Sequence, residues 1–370
     1  MAYKSSIEWT GATWSPVRGC SPTSPGCLNC YAARMCARGL PNLRFPDGES
    51  AARMTPTGPC WTGRVELVES QLLIPLHWRN PRRIFVNSMS DTHHESLPDS
   101  AIDRMYAVMA LCPQHTFMVP TKRAKRRREW CKGRYRKNAV LGIAWDMLGH
   151  LPKYKHHDIN SRSWPLPNVW EGVSVSNQEE ADRDIGILLQ TPAALRFVSY
   201  EPALGPVQLT RHHQWCPEHD YEGGFCCSPC PSLRSINWLI AGGESGPGAR
   251  PCNIAWLRSA IGQCKDAGVP CFMKQLGSIP LIPEIPEGLH GHDLVVAARA
   301  IDLEWPLGTH FGNRTGDPRW NGRQALLRDP KGGDMAEWPE DLRVREQPKR
   351  AAGHPLDGKD YWNEMPEVQA

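Results

Sequence analysis

Val169-Trp-Glu-Gly-Val-Ser-Val175, then Glu179 to Leu189 at helical spacing, then Leu195-Arg-Phe-Val-Ser199, read as a strand, a helix and a second strand in succession. Aromatic and β-branched residues fill the two short runs, and turn residues bound them. A strand joined to the next through a helix returns parallel to it. The rhythm continues outward in both directions. Upstream stand Arg83-Ile-Phe-Val-Asn87 and His115-Thr-Phe-Met-Val-Pro120, with a helix over Ile102 to Leu111 between them. Downstream stand Asn237-Trp-Leu-Ile-Ala241 and Pro270-Cys-Phe-Met-Lys274, with a helix over Ile254 to Ala267. Adding the extended piece Thr13-Trp-Ser-Pro-Val17 predicts an α/β fold: a partial (β/α) barrel of about six to seven parallel strands rather than a doubly wound sheet.

Polar residues gather where each strand should end. They are Asn87, Ser88, Ser90 and Asp91; Thr121, Lys122 and Arg123; Ser174, Ser176 and Asn177; Tyr200 and Glu201; Gly242, Gly243 and Glu244; and Lys274 and Gln275. A parallel barrel collects these ends on one rim, where such folds place their sites. Loop and cap roles are the plain alternative for each residue taken singly. Asp91 and Lys122 are the candidate catalytic residues: Asp91, with His93, for substrate contact or proton transfer, and Lys122, with Arg123, for reaching a ligand carboxylate. In Gly242-Gly243-Glu244 the glycines let backbone approach a ligand, and the carboxylate can accept from an ammonium group or a ribose.

Cys20-Ser-Pro-Thr-Ser-Pro-Gly-Cys27-Leu-Asn-Cys30 places three thiols on a turning loop, and Tyr31-Ala-Ala-Arg34-Met35 opens a helix after it. Soft sulfur ligands suit zinc or an iron–sulfur cluster. A structural zinc closes with four protein ligands, whereas a cubane on three thiolates keeps one iron open, so the odd count favours the cluster. A second Cys/His group, within an insertion over residues 211–232, holds Cys216, Cys226, Cys227 and Cys230, candidate ligands for a zinc ion; incidental thiols in a loop are the alternative.

The chain has 370 residues, 14 cysteines and a net charge of +4. It begins without an apolar signal region and holds no membrane-length run, which predicts a reducing cytoplasmic setting and no membrane partner. Residues 1–277 read as one barrel domain, and residues 278–370, rich in Pro, Gly and charge, as a partly irregular C-terminal appendage. Between Lys122 and Lys137 ten basic residues face one acid. Such a helix can neutralise phosphates, with Trp130 and Tyr135 as stacking surfaces, or can simply be a solvated face. Nucleophile-elbow, P-loop and Rossmann signatures are absent, which argues against hydrolase and kinase readings.

Trp14-Ser-Pro-Val-Arg-Gly-Cys20, Ser24-Pro-Gly-Cys27-Leu-Asn-Cys30-Tyr31-Ala32, Phe85-Val-Asn-Ser-Met-Ser-Asp91, Tyr200-Glu-Pro-Ala-Leu-Gly-Pro206 and Ala241-Gly-Gly-Glu-Ser-Gly-Pro-Gly-Ala-Arg250 resemble an uncharacterised family of phages and bacteria that is related to radical S-adenosylmethionine enzymes. The resemblance covers about Ile7 to Gly277 and resumes at Trp338 to Arg345 and Ala351 to Gly358. It implies a [4Fe–4S] cluster on Cys20, Cys27 and Cys30, with S-adenosyl-L-methionine on the fourth iron and a 5′-deoxyadenosyl radical that modifies or repairs a substrate. Glu244 then contacts the amino group, Ser174, Ser176 and Asn177 are placed by position for ribose or carboxylate contacts, and Glu201 is a further cofactor-binding candidate. A reductant such as a flavodoxin or ferredoxin is implied as partner, and a nucleic acid or nucleotide is the expected substrate. The cysteine spacing here is x6 then x2, where most of that superfamily has x3 then x2. The competing reading is a zinc-stabilised nucleic-acid-binding protein without catalysis.

Overall fold

Seven short runs with apolar residues on both faces pair into one sheet, as strands covered on both sides should. β1 (Ala12–Trp14), β2 (Arg83–Val86), β3 (Thr116–Thr121), β4 (Val169–Val175), β5 (Leu195–Tyr200), β6 (Trp238–Gly242) and β7 (Cys271–Gln275) stand side by side in chain order. Every pairing is parallel, and the sheet curls into a half-barrel. The structure is a computed structural model, and it describes residues 7, 9–150, 159, 162–209, 235–283 and 322–324.

Strand alternation sorts the side chains into two cores. Outward residues of β1 to β3, including Ala12, Trp14, Ile84, Val86, Phe117 and Val119, pack under α2 (Asp99–Leu111) and α4 (Arg136–Gly149). Val173, Val175, Val198, Leu239, Ala241 and Met273 of β4 to β7 pack under α5 (Gln178–Leu189) and α6 (Ile254–Ala267). Inward residues form a third, aromatic core at the amino ends of the strands: Trp170, Phe197, Trp238 and Phe272, with Met118 and Ile240. Trp9 seals it, its ring 4.9 Å from Phe85 and 6.0 Å from Trp238, so it spans from the second strand to the sixth. Above this floor the inward residues Thr13, Pro120, Ser174 and Lys274 are all partly exposed, and the interior opens toward the carboxyl ends.

Local chemistry fixes the helix starts. Asn177 caps α5 by accepting from the Glu180 amide at 2.9 Å, while the Glu180 carboxylate accepts from the Ser176 amide at 2.9 Å, a reciprocal cap. Asn253 accepts from the Ala255 amide at the start of α6, and Gly268, at φ 69°, ends that helix in the left-handed conformation.

Two expectations change. The basic run is not one helix: α3 (Ala124–Cys131) ends at Lys132, and α4 begins after a turn through Gly133. The extended piece at Thr13–Val17 divides at Pro16, so that Val17–Arg18 leaves the main sheet and pairs antiparallel with Glu66–Leu67. Past Gly277, Pro280–Pro283 pairs with Cys252–Asn253 on one side and Gly322–Gln324 on the other, in a small sheet separate from the seven strands. A hairpin of Ala52–Thr55 and Gly58–Trp61 packs on α1 (Tyr31–Ala37). The 211–232 insertion, with Cys216, Cys226, Cys227 and Cys230, and most of the C-terminal appendage lie outside the described residues.

Candidate metal and ligand site at the strand ends

The loop after β1 carries Cys20, Cys27 and Cys30 to the rim. Asn87 fixes its start: at φ 55° it turns the chain after β2, and its side chain accepts from the Val17 amide at 3.2 Å and donates to Thr92 Oγ1 at 2.8 Å. Pro25–Cys27 forms a single 3₁₀ turn, and Cys30 sits at the N-cap of α1. All three thiols are free and half-buried. Cys30 is near enough to both of the others for electrostatic coupling. Burial, with Asp91 nearby, pushes Cys20 up to about 12. Burial also raises Cys30, against the amides of Ala33 and Ala32. Burial would raise Cys27 as well, yet the Lys122 ammonium and the Thr23 and Ser24 amides bring it below the usual thiol value. The Lys122 cation thus favours the Cys27 thiolate.

Two polar atoms beside this loop are buried and bare. Lys122 Nζ and Ser176 Oγ have no hydrogen-bond partner. Both border Gly26: a Cβ built there would lie 2.3 Å from Ser176 Oγ and 3.2 Å from Lys122 Nζ. Glycine is required for that close approach. Arg123, the next residue, is instead fully engaged. Its guanidinium reaches Asp91 at 3.2 Å, Glu95 at 2.7 Å, the Ser21 carbonyl at 2.9 Å and, at 3.8 Å, the Cys20 sulfur.

Asp91 anchors this corner. Its oxygens accept from Thr121 Oγ1 at 2.7 Å, the His93 amide at 2.9 Å, the Lys122 amide at 3.1 Å and Arg123. Burial opposes its ionisation, but Arg123 and these donors hold the carboxyl below the usual range. With all its lone-pair directions used, Asp91 is built to aim Lys122 and Arg123 rather than to exchange protons. Asn177 is likewise committed as a helix cap. Ser174 faces the interior and is partly exposed. Glu201 accepts from Lys274 Nζ and, at 3.2 Å, from Gln275 Nε2, a charged pair on the far side of the opening.

Gly242, Gly243 and Glu244 lie at the end of β6, on the same rim. Gly243 needs its missing side chain, since a Cβ would meet the Leu276 carbonyl at 2.2 Å. Glu244 accepts from Arg250 Nη2 at 2.6 Å, Arg250 Nε at 2.8 Å and Asn29 Nδ2 at 3.0 Å. Burial opposes the charge, and Arg250 and Asn29 outweigh it. Arg250, Asn29 and Tyr31, whose hydroxyl donates to the Ser88 carbonyl, are site residues that the motif reading passed over. Arg250 and Asn29 both stand inside the quoted motifs, so their positions were in view and their partners were not.

These features make a basin with an aromatic floor, hydroxyl-bearing walls and a thiol-bearing lip. The chain belongs to the DUF5131 family. That family is described as a protein of unknown function, and the match covers residues 4–366. No curated protein and no solved structure matches the chain significantly. Among the described residues of this DUF5131 member, no group of three His, Cys, Asp or Glu side chains is spaced to hold a single metal ion, and no helix is long and apolar enough to cross a membrane. Thiolates on one zinc stand about 3.8 Å apart, from bonds of about 2.3 Å at tetrahedral angles, whereas thiolates on separate irons of a cubane stand farther apart. Cys20, Cys27 and Cys30 supply the soft sulfur donors that either kind of centre takes.

Proposed function

We propose that this DUF5131 member is an iron–sulfur enzyme of the radical S-adenosylmethionine type, with a [4Fe–4S] cluster on Cys20, Cys27 and Cys30. The observation that supports it best is the trio of free, half-buried thiols on one loop beside the unpartnered Lys122 ammonium and Ser176 hydroxyl, at the carboxyl rim of a parallel half-barrel. When bound and reduced, such a cluster supplies one electron for cleaving S-adenosylmethionine to methionine and a 5′-deoxyadenosyl radical, which takes a hydrogen atom from substrate.

The chain's own residues bind, orient and shield. Lys122 Nζ and Ser176 Oγ, a cation and a donor that border Gly26 without a hydrogen-bond partner, take the ligand carboxylate. Arg123 donates toward Cys20 and, with Lys122, offsets the negative charge of three thiolates. Asp91 holds the Arg123 guanidinium and the backbone amide of Lys122. Glu201, Lys274 and Gln275 orient the substrate from the opposite lip. The floor of Trp9, Phe85, Trp170 and Phe197 keeps water from entering beneath. A nucleotide or nucleic-acid unit is the substrate class we place in the basin. Lys125, Lys132, Arg134 and Lys137 remain exposed to meet phosphates, whereas Arg123, Arg126, Arg127, Arg128 and Arg136 are used within the protein.

Anaerobic reconstitution tests the reading. The expected outcome is about four irons per chain with broad visible absorbance, lost in Cys27→Ala, and 5′-deoxyadenosine formed from S-adenosylmethionine under dithionite. Stoichiometric zinc with no iron, or a fully loaded cluster that leaves S-adenosylmethionine intact, would overturn it. Binding of single-stranded oligonucleotides that weakens steeply with salt supports the substrate class, and a flat response removes it.

A further inference from the structure

The Glu244 side chain is 6% exposed and already saturated. Its Oε1 accepts from Arg250 Nη2, and its Oε2 from Arg250 Nε, the Arg250 amide at 2.8 Å and Asn29 Nδ2. Asn29 lies in the two-residue gap between Cys27 and Cys30, and the same amide group donates to the Gly248 carbonyl at 2.7 Å. Arg250 reaches past the carboxylate to the Pro25 carbonyl at 2.9 Å, and Arg34, in α1, donates to the Pro247 carbonyl at 2.9 Å. The four bonds Asn29–Glu244, Asn29–Gly248, Arg250–Pro25 and Arg34–Pro247 therefore join the cysteine loop to the loop after β6. The base of that second loop is pinned in turn. The Gly243 amide donates to the Gln275 carbonyl at 3.0 Å and the Ser278 amide to the Glu244 carbonyl at 2.8 Å, and Gly277 passes at φ 87° where a side chain would strike Glu244.

β1 and β7 are the two edges of an open sheet. The loop after β1 and the loop after β6 meet only because the sheet curls, and their contact closes the top of its open side. We propose that Glu244 and Arg250 are positioning residues, a latch that holds the cysteine loop on the rim, with the carboxylate orienting Arg250 and Asn29 instead of touching the amino group of a bound methionine moiety. A forked guanidinium on a carboxylate is among the stronger polar pairs, and removing one partner leaves the other buried without compensation. The proposal rests on reading the cysteines as the working centre, but the latch itself is testable without metal.

Glu244→Ala and Arg250→Met are prepared in the full-length chain. In metal-free protein, alkylation of Cys27 and Cys30 by iodoacetamide, read by peptide mass spectrometry, is expected to accelerate about tenfold in both variants, since lost charge-assisted bonds promote local opening. Cys264 and Cys271, buried in the outer core, are expected to keep their rates, which separates loop release from unfolding. Arg250→Lys, which keeps charge but loses the fork, is expected to recover part of the protection. After reconstitution, both variants lose iron to a chelator faster than the parent, while the KM for S-adenosylmethionine of the loaded fraction is unchanged. Unaltered Cys27 and Cys30 alkylation in both variants overturns the latch. A raised KM in Glu244→Ala with parental alkylation does so as well, and assigns Glu244 to direct contact. If the parent takes up no iron, the functional reading fails and the alkylation result still decides the latch.

Discussion

Lys122 and Arg123 are neighbours with opposite fates. Arg123 is fixed by Asp91, Glu95 and the Ser21 carbonyl. Lys122 keeps a buried, unpartnered nitrogen next to Cys27. Replacing it with an apolar side chain of similar length removes the charge that favours the Cys27 thiolate. In Lys122→Met, metal-free Cys27 should alkylate more slowly at neutral pH, about tenfold for each unit its titration midpoint rises, with the pH–rate profile displaced upward. Folding stability should hold or improve, because an uncompensated buried cation is gone. Both residues were legible as strand-end groups, since β3 was recognisable from Thr116 onward. What each would face was not. Gly26, Ser176 and Asp91 come from three other loops, and only the closed sheet brings them together.

Strand β4 shows why the elements themselves were readable. Its alternation Trp170, Gly172, Ser174 against Glu171, Val173, Val175 separates the interior from the helix-covered face, and α5 carries its own reciprocal cap. Gly172 is the exception inside the pattern, because the Phe197 ring occupies the place of its side chain. A Cβ there would lie 2.3 Å from the ring. Gly172→Ala must displace Phe197 within the aromatic floor and is expected to lower stability by about 1–3 kcal/mol, measured as a reduced denaturant midpoint with an unchanged slope. The basic run misleads for a physical reason. Its partners Asp99, Asp103, Glu95 and Glu171 sit on other elements, so local charge counting overstates what remains for an external phosphate. Arg127 is wholly buried and donates to the Gly172 carbonyl at 2.7 Å, a role that periodicity alone does not reveal.

At the scale of the molecule, acid sensitivity follows from two histidines kept neutral inside. Burial, reinforced by Arg127, lowers His93 to about 3, with Asp91 acting against the shift. Burial lowers His115 to about 4, against its contact with the Pro75 carbonyl. Their unfolded forms bind protons near pH 6.5, so the native state loses ground as pH falls from 6.5 toward these values, by on the order of 2 kcal/mol for each at pH 5. Asp91 and Glu244, both held low, begin to cost stability only below about pH 4. Denaturant midpoints at pH 7, 6 and 5 should therefore decline, and His93→Phe should remove about half of the slope. A flat profile would show that neither ring is excluded from protons.

Asn29 meets Glu244 across 215 positions of chain, and Trp9 meets Trp238 over a similar span. During synthesis the three thiols emerge early, and the contacts from Asn29 and Pro25 to the loop after the sixth strand form only once that strand has left the ribosome. Their final arrangement belongs to the last stage of folding, and so any metal delivered to them in that arrangement must arrive on a nearly finished polypeptide.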